Sequence, residues 1–423
     1  MTGGEGGPLS HLAVIRDDLA GLYRDLHAHP ELSFEEHRTA AVIADRVRAL
    51  GYDVTEGVGR TGVVAVLRNG AGPTVLLRAD MDALPVAEAT GLPYASTRRV
   101  RDRDGTDVPV MHACGHDMHV AWLVGALDLL RRDRSGWAGT VLAVFQPAEE
   151  AGGGAQTMVD DGLFDRFGRP DVALGQHVSP LPAGLVGYRA GPAMASSDAV
   201  DVRLIGRGGH GSRPETTVDP VVMAAATVMR LQTVTAREIA GIDTAVVTVG
   251  AIHAGTKHNI IPAEAELRIS VRAFEEPVRR RVLDAIARIV RAEAAASGAP
   301  VDPEIVVTDG YPVLVNDPDA TGRAMAAIGT ELGPDQVCEA PPVTGSEDFG
   351  VFGAAAGVPS CFWYVGGTDP QVYAAAAAAG REDEDVPSNH SPLFAPVIEP
   401  TLSSGVRALV AAALAWLAPH AKP

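Results

Sequence analysis

At 423 residues the chain exceeds what one hydrophobic core usually supports, so two domains are expected, and with 46% apolar residues both can be well packed. Lys and Arg total 35 against 53 Asp and Glu, a formal charge of −18 with an isoelectric point near 5.1, which repels a phosphate backbone and argues against nucleic acid as a partner. Three cysteines, Cys114, Cys338 and Cys361, are an odd number spread over a long chain; they do not form a disulfide framework and fit a reducing, cytoplasmic setting.

The chain opens on MTGGEGGP, which lacks the basic start and apolar core of a secretion signal and reads as a short disordered tail. Helical patterns follow at 12–26, 36–50 and 120–131, interleaved with apolar β-rich runs at 63–67, 74–77, 141–145 and 172–175. Strands separated by helices predict a mainly parallel sheet covered on both faces, an α/β fold. After Gly191-Pro192 the texture changes, and 199–205 alternates polar and apolar residues as a half-exposed strand does. A helix at 218–238, strands at 244–252 and 265–271, and a helix at 277–296 complete an α+β unit with one sheet face free. Beyond 301 helix and strand alternate again, and 361–365 rejoins the first sheet. A small domain, 191–300, is therefore expected inside a discontinuous one, 1–190 and 301–423. The alanine run 373–380 and the acidic stretch behind it read as a solvated loop or short helix. The most apolar stretch, 408–418, has roughly half the length that crosses a bilayer and reads as a buried terminal helix, so no membrane association is expected.

Chemistry concentrates in His112-Ala113-Cys114-Gly115-His116-Asp117-Met118-His119. Thiolate and imidazole are preferred ligands of zinc and similar divalent ions, and the glycine lets Cys114 and His116 turn toward one centre. The alternative is a helix start with an incidentally packed cysteine. In Gln146-Pro147-Ala148-Glu149-Glu150 a β-rich run ends at a proline before two adjacent carboxylates. Adjacent like charges are costly unless a cation or different roles separate them, so one glutamate ligates while the other acts as base; the alternative is a solvated acidic turn. His177, at the end of the 172–175 strand, and His390 in Ser388-Asn389-His390 are further ligand candidates, although a lone histidine is more often a satisfied or surface residue. Ligands of open α/β sheets gather beyond the C-terminal ends of the strands, where Glu149, Glu150 and His177 would lie.

The motifs His27-Ala28-His29-Pro30-Glu31-Leu32-Ser33-Phe34-Glu35-Glu36, Arg78-Ala79-Asp80-Met81-Asp82, the Cys114 cluster, Gln146 to Glu150, Gly208-Gly209-His210, His258-Asn259 and Gly345-Ser346-Glu347-Asp348-Phe349 span nearly the whole chain. In them the sequence resembles the aminoacylase-like di-metal peptidases, in the branch of hippurate hydrolases, N-acetyl-amino-acid deacetylases and plant indole-acetyl-amino-acid hydrolases. The resemblance implies an inserted lid and dimerisation domain, hydrolysis of N-acyl amino acids, and two divalent metal ions, Zn, Mn, Co or Ni. It implies metal ligands at Cys114, His116, Glu150, His177 and His390, with Glu149 as general acid and base. Other branches carry histidine where this chain has Asp80, and Cys114-Gly115-His116 takes over that task. Asp82 is then a residue that orients a ligand, and Asp117 and His119 lie close enough to join the metals themselves. By the same resemblance His210 steadies the oxyanion in a partner subunit of a homodimer, and Asn259 and Arg272 touch the substrate, with a turn cap and an ion pair as the alternatives for His210 and Arg272. Glu215 replaces a histidine common in relatives. The competing readings are a dipeptidase or carboxypeptidase on the same metals, and a non-catalytic metal- or peptide-binding relative.

Overall fold

The computed structural model describes residues 7–417 and 419, so residues 1–6 of the expected tail and Ala418 of the terminal apolar stretch lie outside the described residues. The chain divides into two compact units, one of residues 1–191, 315–341 and 348–423, the other of 192–314 and 342–347.

In the first unit eight strands form one sheet. Its centre is four parallel strands in the order Gly139–Gln146, Thr74–Asp80, Val172–Pro182 and Ser360–Thr368. The hairpin Asp53–Val58 and Gly62–Asn69 adds antiparallel to one side, and the short strands Val186–Tyr188 and Val337–Glu339 close the other. Val75, Leu77, Val141 and Leu174 sit in one apolar cluster with side chains of the helices Leu12–Ala28, His37–Ala49, His116–Arg132, Pro318–Leu332 and Ile398–Trp416. The alternate strand residues Leu76, Leu142 and Ala173 are equally inaccessible. Both sheet faces are therefore covered, which is why these runs read as continuous rather than alternating. Each fully buried aliphatic side chain contributes about 1.5–3 kcal/mol.

The second unit is a four-stranded antiparallel sheet in the order Ala245–Ala254, Glu264–Ala273, Ser196–Ile205 and Glu304–Tyr311. Val200, Val202, Leu204, Leu267 and Ile269 pack against Met223, Leu231, Ile286 and Ile289 of the helices Pro220–Thr233 and Glu276–Ala296. Their neighbours Asp201, Arg203, Glu266 and Arg268 are exposed, the polar alternation read from the sequence. The strand Glu304–Tyr311 lies past the 300/301 boundary drawn from sequence and pairs with Ser196–Ile205, so the renewed alternation beyond 301 begins in this second sheet. The helix expected over 218–238 is α-helical to Thr233 and continues as a π-helical turn, Val234–Glu238. Of the stretch 373–380, residues to Ala379 belong to the helix Pro370–Ala379.

Candidate active site

The site is built where the parallel strands of the first unit end. Thr74–Asp80 runs directly into Asp82, and Gly139–Gln146 into Glu149 and Glu150. Between the strands and the helix His116–Arg132 the chain must turn sharply at Gly115, whose φ is 86° and whose absent Cβ would lie 2.3 Å from Val178 Cγ1. Only glycine meets both demands. This turn puts Cys114 just before the helix and His116 in its first position.

Three ring orientations are set by hydrogen bonds. His116 Nδ1 donates to Asp82 Oδ1 at 3.1 Å, so the lone pair belongs to Nε2. That Nε2 is buried and makes no hydrogen bond among the described residues, while carboxylate oxygens of Asp80 and Glu150 stand 3.5 and 3.8 Å away. His177 Nδ1 donates to its neighbouring carbonyl, Val178 O, at 2.7 Å, which leaves a bare Nε2 3.5 Å from Cys114 Sγ. His390, exposed and held at φ 72° with its amide on Ala113 O at 2.7 Å, brings Nε2 to 3.2 Å from Glu150 Oε1. Donor atoms of Cys114, His116 and Glu150 all lie within 4.8 Å of one another. Ligand atoms bound at about 2 Å to one cation are spaced by about 3–4 Å, so thiol, imidazole and carboxylate here have the separation and the chemistry of a divalent-metal site.

The electrostatics agree. Burial favours a neutral His116 ring, but Asp80, Asp82 and Glu150 outweigh it and raise its pKa to about 10. Carboxylates that force a proton onto a fully buried imidazole are a demand for positive charge that a cation meets. Burial, then Glu150 and Glu149, push the Cys114 thiol well up, and burial beside His119 holds His177 well below the usual range. His390 is raised by its bond to Glu150.

Five expected ligands therefore lie in one unit, with Cys114, His116, Glu150, His177 and His390 linked by the contacts above. Glu149 is 6% exposed beside Glu150. The two undecided residues are otherwise engaged. Asp117 Oδ2 accepts from His27 Nδ1 at 2.6 Å and Oδ1 from the Met118 amide at 2.9 Å. His119 donates from Nδ1 to Asp80 Oδ1 at 2.5 Å and accepts the Val178 amide on Nε2 at 2.8 Å. Sequence reasoning gave no role to several supports: Ser33 donates to Asp82 Oδ2 at 2.7 Å, Asn389 donates to Cys114 O at 3.1 Å and Val178 O at 3.2 Å, and Asp348 accepts Gln146 Nε2 at 2.7 Å and the Ala155 amide at 3.0 Å. All lie inside the quoted motifs, whose clustering of polar residues was the available signal.

The remaining candidates lie in the second unit. His210, exposed, pairs with Ile260, and its Nδ1 accepts from the Ser212 amide at 3.1 Å and lies 2.7 Å from the Ser212 hydroxyl. Asn259 is exposed, with its carbonyl on the Gly211 amide at 2.8 Å. Arg272 donates to Thr344 O at 2.7 Å and Ser346 Oγ at 3.0 Å rather than to an acid. Glu215 lies 3.3 Å from Arg213. In the first unit a cavity of about 610 Å³ is lined by Leu32, Ala83, Leu84, Arg101, Arg103 and Glu150 among others.

A covered parallel sheet with a buried thiol, imidazoles and paired carboxylates at its strand ends defines a metal-dependent hydrolase. Residues 76–390 match peptidase family M20/M25/M40, and the chain belongs to that family. It is 38% identical to the hippurate hydrolase of Campylobacter jejuni over 344 residues, 80% of this chain and 85% of that one. It is also 38% identical to thermostable carboxypeptidase 2 of Saccharolobus solfataricus over 357 residues, 83% and 86% of the two chains. The crystal structure of the Bacillus subtilis YxeP protein, a dinuclear metal-binding peptidase of family M20, superposes with a TM-score of 0.74 at 30% identity, covering 96% of this chain and 99% of that one. The chain is thus a hydrolase of amide bonds whose centre takes two divalent metal ions. No described helix is long and apolar enough to cross a membrane.

Proposed function

We propose that the protein hydrolyses the amide bond of N-acyl amino acids, with Cys114, His116, Glu150, His177 and His390 holding the two cations and Glu149 moving the proton. The observation that carries the reading is the pair of adjacent carboxylates: Glu150 reaches toward His116 and His390, and Glu149, its buried neighbour in the chain, is the carboxylate to which the base role is assigned. A bound divalent cation lowers the pKa of water from ~15.7 toward ~7 and polarises a carbonyl. Glu149 accepts the proton of the attacking water and later returns it to the departing amine. Asp82 fixes the His116 ring so that Nε2, not Nδ1, carries the lone pair. His210 is proposed to donate to the developing oxyanion, in the partner subunit of a homodimer formed through the second unit acting as lid, and Asn259 and Arg272 to contact the amino-acid half. Such donors act because charge grows on the carbonyl oxygen only in the transition state. A cytoplasmic setting fits the unpaired cysteines.

The N-acyl reading is supported by the hippurate hydrolase likeness and by 36% identity to the N-acetyl-L-cysteine deacetylase of Bacillus subtilis over 345 residues. The carboxypeptidase likeness, at the same identity, favours a second reading, cleavage of peptides with a free amino group. Turnover of N-benzoyl, N-acetyl and unblocked dipeptide substrates separates the two: faster hydrolysis of the unblocked series refutes the first. Glu149→Gln retains metal and loses turnover by about 10²–10⁴-fold; near-native activity in that variant removes Glu149 from the mechanism.

A further inference from the structure

Glu36 has no part in the chemistry above, yet its carboxylate is fully buried against the turn that carries both site glutamates. Its Oε1 accepts two amides, from Phe34 at 2.9 Å and from Ala148 at 2.8 Å, and its Oε2 accepts the Thr61 hydroxyl. Phe34 (φ 63°) and Ala148 (φ 48°) are both in the left-handed region, and Arg60 (φ 83°) directly precedes Thr61. The described chain has one further non-glycine residue at positive φ, and it is His390. Side chains with a Cβ are rarely found there, and persist only where surrounding bonds hold them. Glu36 also occupies the cap position of the helix His37–Ala49 without using its side chain to cap it. The residues that cap a helix with their own side chain are the shorter Ser, Thr, Asp and Asn. Glu36 instead crosses 112 residues of sequence to the Ala148 amide.

We propose that Glu36 is a positioning residue for the hydrolysis: its carboxylate holds Ala148 in the left-handed turn between Pro147 and Glu149 and so parts Glu149 from Glu150. Behind the turn the chain returns tightly on itself, since a Cβ on Gly154 would lie 1.8 Å from Pro147 O. The turn is thus fixed from Gly154 on one side and from Glu36 on the other. Without the acceptor at Glu36, Ala148 relaxes toward negative φ and rotates the peptide that leads to Glu149. The inference rests on the proposed roles of Glu149 and Glu150, but its structural half, the hold on the Ala148 amide, does not.

The test compares Glu36→Ala, Glu36→Gln and the double variant Glu36→Ala/Ala148→Gly in the metal-loaded full-length protein. Three quantities are read: kcat and KM on an N-acyl amino acid, metal content by mass spectrometry, and hydrogen exchange of the peptide containing Ala148. Glu36→Ala is expected to lower kcat about a hundredfold, the scale of a 1 Å misplacement, with little change in KM and with faster exchange at Ala148. Glu36→Gln keeps an oxygen for the two amides and stays within about tenfold of wild type, because the Thr61 hydroxyl can turn to accept. Glycine at 148 enters the left-handed region without a Cβ penalty, so the double variant recovers at least about tenfold of the lost kcat. A folded Glu36→Ala with wild-type kcat and unchanged exchange overturns the proposal, as does a loss that neither Gln nor the second substitution relieves. If Glu36→Ala does not fold, Glu36→Asp, which withdraws the carboxylate by one methylene, replaces it with the same expected and overturning results. Should Glu149→Gln prove active, the base assignment fails while exchange at Ala148 still reports on Glu36.

Discussion

Asp82→Asn is the most exacting perturbation of the site, because it changes one atom and leaves volume nearly constant. Asp82 is 1% exposed and both its oxygens are engaged inward: Oδ1 accepts from His116 Nδ1 at 3.1 Å, and Oδ2 from the Ser33 hydroxyl at 2.7 Å and the Glu150 amide at 3.0 Å. Asparagine offers one oxygen for these two positions. With its amide group toward Glu150, two N–H donors face each other. With the amide group toward His116, the ring must accept on Nδ1, which places the proton on Nε2 and removes the lone pair proposed to bind metal. Each orientation disturbs a proposed ligand. Loss of such an orienting partner costs 10–100-fold in metal affinity, or about 1.4–2.7 kcal/mol. Competition against a chelator of known affinity, read by metal content per chain, measures the effect directly. Wild-type affinity for both metals in a folded Asp82→Asn protein would refute the reasoning, since it would mean that neither His116 nor Glu150 depends on Asp82.

Three other outcomes follow from the same geometry. Cys114 should resist alkylation in the metal-loaded protein and react after chelation; equal labelling in both states would remove it from the ligand set. Gly115→Ala should cost about 2–5 kcal/mol, combining a left-handed alanine with its Cβ pressed on Val178, and a denaturation midpoint within error of wild type would contradict the described turn. His27 offers a pH signature: burial favours the neutral ring, but Asp117 and Glu88 outweigh it and raise the pKa to about 10. Because the folded value lies above the unfolded one of about 6.5, its contribution is fully present below pH ~6.5 and is lost as pH rises toward 10. Chemical denaturation across that window should therefore show falling stability, less steep in His27→Gln, and parallel profiles would exclude the pair as the source.

The fold was legible where one physical rule decided the pattern. Buried parallel strands stand out by their apolar runs, 75–77 and 141–145, and the second sheet announces itself by alternation at Ser196–Ile205. The edge strand Asp53–Val58 was not legible, because an exposed hairpin partner of mixed polarity carries no period that a loop lacks. Nor was the membership of Glu304–Tyr311: a strand's sequence states that it is extended, not which sheet it joins. Within the site, residue type named the metal-binding candidates, since histidine and glutamate are scarce in buried positions without cause and a cysteine among them adds a thiolate donor. What sequence did not reveal was the use of ordinary residues. Whether His119 binds metal or carries Asp80 depends on a 2.8 Å bond from the Val178 amide, and that contact exists only once distant strands and helices meet.

The Arg78-Ala79-Asp80-Met81-Asp82 segment bears on why the proposed metal ligands are Cys114 and His116 rather than carboxylates of the strand itself. Ala79 and Met81 belong to the apolar cluster, whereas Arg78, Asp80 and Asp82 occupy the alternate positions and are each no more than 1% exposed. Three buried charges in a row are tolerable only if paired, and the pairing consumes Asp80: Arg78 donates to its Oδ2 at 2.7 Å and His119 to its Oδ1 at 2.5 Å. Burial opposes ionisation of Asp80, but Arg78, His116 and His119 hold it well below the usual carboxylate range. Asp80 lies within 4.8 Å of donor atoms of His116, His119 and His177, but a cation there would compete with Arg78 and His119 for the same two oxygens. Asp82, two residues on and past the strand end, turns its Oδ1 to His116 Nδ1. The same strand therefore supplies an anchor and an orienting group, and the proposed coordinating atoms come from the loop at Gly115, where a left-handed turn brings thiol and imidazole near one carboxylate.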